Sequence, residues 1–177
     1  MKALSRYTSD VIIIQVPFNG KEPEILLIDR KNAPFGFAIA GGFRDVLEEN
    51  LNHPLVVNNT LPIPPPLLDD SLLESPLDAA KREALEETNC NLFDLTFFQV
   101  RDDINRDPRG YTISHVYFGF TKDEGVALSD AKDIVNIKIS DIEDFLENNT
   151  FAFDHKEIML DFIHSHFFDD IKNNKFI

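Results

Sequence analysis

Glu74-Ser75-Pro76-Leu77-Asp78-Ala79-Ala80-Lys81-Arg82-Glu83-Ala84-Leu85-Glu86-Glu87-Thr88-Asn89 encodes a helix whose start, packing stripe and acidic stripe can each be read from the residues. Ser75 is a good N-cap, Pro76 suits the first helical position, and Asp78 completes a Ser-x-x-Asp capping signal. That cap contributes roughly 1 kcal/mol. Glu83, Glu86 and Glu87 stand at i, i+3 and i+4, so they share one face, with about 5 to 6 Å between their Cβ atoms. Leu77, Ala80, Ala84 and Thr88 supply a separate stripe for packing. The acidic stripe therefore needs its own explanation. A solvated face softened by Lys81 and Arg82 is one account. Hard oxygen ligands for Mg²⁺ or Mn²⁺ are the better one, because a divalent cation relieves the mutual repulsion of three carboxylates.

Glu74 is followed after seven residues by Arg82-Glu83 and then by Glu86-Glu87. Upstream, Phe37 to Ala40 reads as a short strand running into Gly41-Gly42-Phe43-Arg44-Asp45. Glycines placed directly after a strand permit close approach of the backbone to a ligand, although a simple turn is the plainer account. Together the two stretches resemble the two halves of the Nudix box. Three departures stand out: thirty-one residues separate Gly42 from Glu74 in place of the family's short spacer, Ala84 replaces a larger aliphatic residue, and Asn89 replaces the final Gly. Asn is the best substitute for Gly in the left-handed conformation that ends a helix.

The resemblance implies an α/β fold, a Nudix-type α/β/α sandwich with a mixed sheet. It also implies a nucleotide pyrophosphohydrolase that is metal-dependent. Glu83, Glu86, Glu87 and the Gly41 carbonyl are the expected holders of Mg²⁺ or Mn²⁺, and Arg82 is expected to orient the carboxylates. The general base stays open between Glu86 and an acid from a later loop, with Glu124 the nearest candidate. Three further stretches look similar to the ADP-ribose pyrophosphatase branch: Arg106-Asp107-Pro108-Arg109-Gly110, Ser129 to Asp133, and Phe151 to His155. The implied reaction is hydrolysis of ADP-ribose to AMP and ribose 5-phosphate. Arg106 and Arg109 are candidates to fork onto phosphate or ribose, and Phe43 or Phe35 to stack on adenine. Surface ion pairing and core packing are the plain alternatives.

Rival functions remain. A dinucleoside polyphosphate, a sugar nucleotide or a modified nucleoside triphosphate would use the same metal site with a different pocket. A non-catalytic ADP-ribose sensor is another class; related regulators carry a winged-helix part after the Nudix domain, for which a chain stopping at Ile177 leaves no room. A pure interaction module, docking through a proline-rich segment, is a third. The branch resemblance also implies a homodimer.

With 177 residues the chain is expected to form one domain, interrupted by an insertion at about 46–73 inside the Nudix box. Pro62-Ile63-Pro64-Pro65-Pro66 within it should be extended; a lid, a dimer contact or a plain surface insertion are the options. One cysteine, Cys90, excludes an intramolecular disulfide and reads as a small buried group. The first ten residues lack an apolar leader core and no run approaches a membrane span, so a soluble cytoplasmic protein without membrane partners is expected. The net charge of −14 argues against a nucleic-acid partner, because backbone phosphates call for Lys and Arg. It would repel a nucleotide substrate too, unless bound cations offset it locally.

Strands are predicted at Val11 to Val16 and Glu24 to Ile28 as a hairpin, then at Leu92 to Val100, Tyr111 to Phe120 and Ile134 to Ile139. Asp141 to Glu147 reads as a short helix capped by Ser140. Asp154 to Phe168 reads as a longer one, with Asp154 as N-cap, His155 structural, and Ile158, Phe162 and His166 on one face.

Overall fold

The computed structural model describes residues 7–17, 20–52 and 70–173. The proline run of the expected insertion lies outside them. The sheet is mixed and built on β1, Tyr7–Gln15. One edge of β1 is shared. Its first half pairs antiparallel with β4, Ala40–Phe43, and its second half pairs antiparallel with β2, Glu24–Arg30. Along the other edge β6, Ile113–Thr121, runs parallel to it for its whole length, and β5, Phe93–Arg101, pairs antiparallel with β6. β3, Phe37–Ala38, and β7, Ala131–Lys138, both pair antiparallel with β2.

Val11 to Ile14 are buried because both faces of the sheet are covered. Val11, Ile13 and Leu26 pack against Ala80 and Ala84 of α1, Pro76–Thr88. Ile12, Ile14 and Leu27 point the other way, into a core with Ile142 and Leu146 of α2, Ile158 and Phe162 of α3, and Phe168 and Ile171 of α4. These three helices span Ile142–Asn148, His155–Ile163 and His166–Lys172. The result is the expected three-layer α/β/α arrangement, with α1 on the site face.

The details of α1 follow from its caps. Ser75 Oγ accepts the Asp78 N–H at 3.1 Å, and Asn89 ends the helix in the left-handed region at φ 58°. Elsewhere local signals were overridden. Gly41 and Gly42 lie within β4, where they pair with Asp10 and Ser9, rather than in a turn after a strand. The predicted last helix is two helices, because Ser165 accepts the Phe168 N–H and caps α4; His166 is exposed. Asp141, not Ser140, precedes α2, and Ser140 instead binds Glu22 through its N–H and hydroxyl. Asp154 precedes α3 without capping it, since its carboxylate faces two arginines.

Candidate active site

The two halves of the split motif meet at Glu74. Val46 and Leu73 form an antiparallel bridge, the Leu47 N–H donates to Leu72 O at 3.1 Å, and the Glu74 N–H donates to Asp45 O at 2.9 Å. The insertion is therefore closed at its root by sheet-like pairing, backed by an apolar cluster of Val46, Leu72 and Leu73. Arg44 is 1% exposed, and its Nε and Nη2 donate to Glu74 O at 2.8 and 2.6 Å. The Glu74 carboxylate accepts the Asp45 N–H at 2.7 Å and Arg82 Nη2 at 2.5 Å.

Arg82 is the hub of the acidic face. Its Nη1 donates to Glu83 at 2.6 Å and Glu86 at 3.2 Å, and its Nη2 donates to Phe43 O at 2.9 Å. Burial opposes its charge, but hydrogen bonding to Glu74 and the negative charge of Glu83 outweigh that and push its pKa up. Glu87 turns the other way. It is 4% exposed and its Oε2 accepts the Gly41 N–H at 3.0 Å. Burial raises its pKa from 4.5 to about 8; the Gly41 hydrogen bond opposes the rise and the Glu83 charge adds to it. A Cβ on Gly42 would collide with the Glu83 carboxylate, so a side chain there would push that carboxylate off its place on Arg82.

Glu83, Glu86 and Glu87 thus share a helix face as expected, yet among the described residues no three acidic, histidine or cysteine side chains converge as a ligand cluster. The physical reason is visible: Arg82 gathers Glu83 and Glu86 while the Gly41 amide holds Glu87. The donor set still fits a hard divalent cation. It supplies carboxylate oxygens, and one of them belongs to a buried Glu87 whose anion needs a positive neighbour.

These groups line one side of a cavity of about 260 Å³. Arg30, Arg106, Arg109, Asp130, Phe153 and His155 come to it from other elements. The loop after β6 delivers Asp130, because the Val126 and Leu128 N–H groups donate to the Thr88 and Glu87 carbonyls at the end of α1. Glu124, in the same loop, does not line the cavity. Phe153 and His155 arrive because residues 150–152 pair with Phe37: the Phe37 N–H donates to Thr150 O and the Ala152 N–H donates to Phe37 O.

The two candidate arginines part company. Arg106 is 7% exposed, and its guanidinium donates to Asp10 at 3.0 Å and to both oxygens of Asp154. It lines the cavity and at the same time cross-links Asp10 to Asp154. Ser114 Oγ donates to the same Asp10 oxygen at 2.7 Å. Arg109 is half-exposed, pairs with Asp107 at 2.8 Å, and lies 5.0 Å from the ring centres of both Phe43 and Phe153. Phe43 lines the cavity; Phe35 is 67% exposed and does not. His155 lines the cavity and also bonds the backbone beside β4. Its Nδ1 accepts the Ile39 N–H at 3.2 Å, and burial lowers its pKa, keeping it neutral.

Asp10 and Arg30 were not foreseen from sequence: they lie outside the predicted strands Val11 to Val16 and Glu24 to Ile28, which the structure extends to include them. No helix among the described residues is long and apolar enough to cross a membrane.

A family model described as the NUDIX domain matches residues 69–162. The match begins in the last residues of the insertion and takes in α1 through all but the last residue of α3. Among curated proteins nothing matches. Among solved structures, a mutT/nudix family protein from Listeria innocua is similar over 97% of both chains, with 28% identity and a TM-score of 0.58. The NUDIX domain of Shewanella oneidensis NrtR, solved with ADP ribose, shares the fold at a TM-score of 0.58, with 18% identity over 88% of this chain and 83% of that one. A bifunctional NMN adenylyltransferase/ADP ribose pyrophosphatase from Francisella tularensis matches 90% of this chain at 26% identity and a TM-score of 0.59, but only 40% of its own length. With more than half of the sequence matched by the family model, and the motif's two halves joined at Glu74, this chain belongs to the Nudix family.

Proposed function

We propose that the protein hydrolyses ADP-ribose to AMP and ribose 5-phosphate with Mg²⁺ or Mn²⁺. Family membership supports nucleotide pyrophosphohydrolysis in general. The finer assignment is carried by one observation: all three stretches that resemble the ADP-ribose branch reach the same cavity as the glutamates, through Arg109, Asp130 and Phe153. The ADP ribose named for the NrtR structure and the pyrophosphatase named for the Francisella protein agree with this choice.

In this reading Glu83, Glu86, Glu87 and the Gly41 carbonyl hold the metal. The cation supplies charge neutralisation of the diphosphate and acidification of water. The chain's own groups do the rest. Arg82 fixes the directions of the Glu83 and Glu86 carboxylates by charge-assisted hydrogen bonds and does not touch substrate. Glu86, with 41% of its side chain exposed, is accessible to accept a proton, and Asp130 is the later-loop acid that lines the cavity in place of Glu124. Arg109 and Phe43, both at the cavity wall, receive the substrate. A homodimer in solution belongs to the same proposal, and light scattering showing a monomer at micromolar concentration would remove it.

A non-catalytic ADP-ribose sensor is the second reading, favoured by the way Arg82 holds Glu83 and Glu86 apart from Glu87. One experiment separates the two. Phosphatase-coupled phosphate release is measured across ADP-ribose, NADH, diadenosine polyphosphates, sugar nucleotides and nucleoside triphosphates, with Glu87→Gln as control. A dominant ADP-ribose rate that disappears in the control supports hydrolysis. Calorimetric binding of ADP-ribose without turnover supports the sensor.

A further inference from the structure

Asp130 is the later-loop acid at the cavity, and its side chain is 48% exposed, so burial does not fix where its carboxylate points. Glu87 works against its place there. The Asp130 charge adds to the raised pKa of Glu87, which means that the two carboxylates repel each other. A half-exposed aspartate repelled in this way turns toward solvent unless another group holds it.

The turn after β2 holds it. The Lys31 N–H donates to Asp130 O at 3.2 Å, the Lys31 ammonium donates to Ser129 O, and Asn32 Nδ2 donates to Asp130 Oδ1 at 3.1 Å. Arg30 Nη2 faces the other carboxylate oxygen, Oδ2, at 3.9 Å. Ser129 stands at φ 44°, a left-handed conformation that residues with a side chain seldom adopt. Contacts from outside a segment sustain such a conformation, and Lys31 supplies them here. Lys31 and Asn32 thus reach partners 98 positions along the chain and set both the backbone and the side chain of this turn.

The two residues differ in chemistry. Lys31 directs its charge to a backbone carbonyl, whereas the group placed on the carboxylate is a neutral amide. An ammonium on Oδ1 would stabilise the ionised carboxylate and make it a weaker proton acceptor; an amide fixes its direction with a smaller loss of basicity. Asn32 is exposed and does not line the cavity, so whatever it does for the site passes through Asp130.

We propose that Asn32 is a positioning residue of the hydrolysis: its amide, on Oδ1, aims the Asp130 carboxylate into the cavity, where that carboxylate accepts a proton. The inference deepens the proposed function and rests on it.

The test is steady-state kinetics with Mg²⁺ on the fastest nucleotide of the phosphate-release panel. The proteins are wild type, Asn32→Ala, Asn32→Asp, Asp130→Asn and the double variant Asn32→Ala with Asp130→Asn. Because Asn32 is exposed, its variants should melt within about 2 °C of wild type. Asn32→Ala is expected to lower kcat about tenfold and leave KM within about twofold, since lost aim changes the reacting geometry and not substrate binding. Asn32→Asp should lose more, because a like charge replaces the donor. Asp130→Asn should lower kcat about a hundredfold, still measurable at raised enzyme concentration, and adding Asn32→Ala to it should change nothing further. Unchanged kcat in Asn32→Ala, a loss carried by KM, or the same tenfold loss on the Asp130→Asn background would each overturn the positioning role. A fastest substrate other than ADP-ribose would sink the proposed reaction, while the Asn32 effect on that substrate would still decide the positioning role. No turnover of any nucleotide would overturn both.

Discussion

In metal-free buffer, Glu87 should make the protein less stable as pH rises. Its folded-state pKa of about 8 lies above its ordinary value of 4.5 because burial penalises the anion. Between those values the folded chain holds a proton that the unfolded chain has released. Stability is therefore fully present below about pH 4.5 and is lost as pH climbs through about 8. The difference between the two values, at about 1.4 kcal/mol per pH unit, is on the order of 5 kcal/mol as an upper bound. For a chain of this size each kcal/mol moves the melting temperature by about 2 to 4 °C, so the fall should be on the order of 10 °C. His155 works in the opposite direction. Its lowered pKa makes acid destabilising below about pH 6.5, so wild type alone would give a mixed profile. The assay is thus a pair of thermal-melt series in EDTA from pH 5 to 9, on wild type and Glu87→Gln. Gln keeps an oxygen for the Gly41 N–H and removes the charge. The wild-type curve should fall relative to the variant across neutral pH, and added Mg²⁺ should recover more stability at pH 8 than at pH 5, because the cation binds the deprotonated carboxylate. Parallel profiles for the two proteins would refute the assignment of Glu87 as the strained acid.

Three other perturbations follow from the same geometry. Glu74→Ala should cost roughly 3 kcal/mol in denaturant unfolding, because it strips the largely buried Arg82 of its shortest partner and orphans the Asp45 N–H. Arg106→Ala should destabilise by about 3 to 5 kcal/mol by leaving Asp10 and Asp154 buried without their cation, whereas Arg109→Gln should cost about 1 to 2 kcal/mol, because the buried Asp107 keeps the Arg109 backbone N–H. Replacing residues 48–71 with a four-residue turn should leave the melting temperature within a few degrees, since a roughly sixfold shorter loop gains about 1.5 kcal/mol in closure entropy against the lost packing of Leu51. An unfolded product would show that the insertion helps to hold the motif together.

That last expectation rests on how the motif survives its interruption. The Nudix box works here as a set of contacts, and continuity of sequence is not among them. Glu74 supplies a backbone oxygen to Arg44, a backbone N–H to Asp45, and a carboxylate to Arg82, so it ties β4 to α1 whatever the chain does between them. Loop-closure entropy grows only logarithmically, which makes a long detour tolerable once both ends are paired.

Helix α1 was legible because everything that decides it is local: Ser75, Pro76 and Asp78 at one end, Asn89 at the other, and a stripe of small residues between. The glutamates follow from helical spacing alone. Arg106 and Arg109 mark where such legibility stops. They sit three residues apart in one loop and read alike, yet Arg106 is claimed by Asp10 and Asp154, far away along the chain, while Arg109 pairs with the adjacent Asp107 and two rings. Arg30 shows the converse. It looked like charge leaving a strand, and only the return of residues 150–153 to the sheet puts an aromatic ring against it and turns it toward the cavity. What sequence could not decide was the pairing of each charge across the fold, and that pairing determines which charges are left for a ligand.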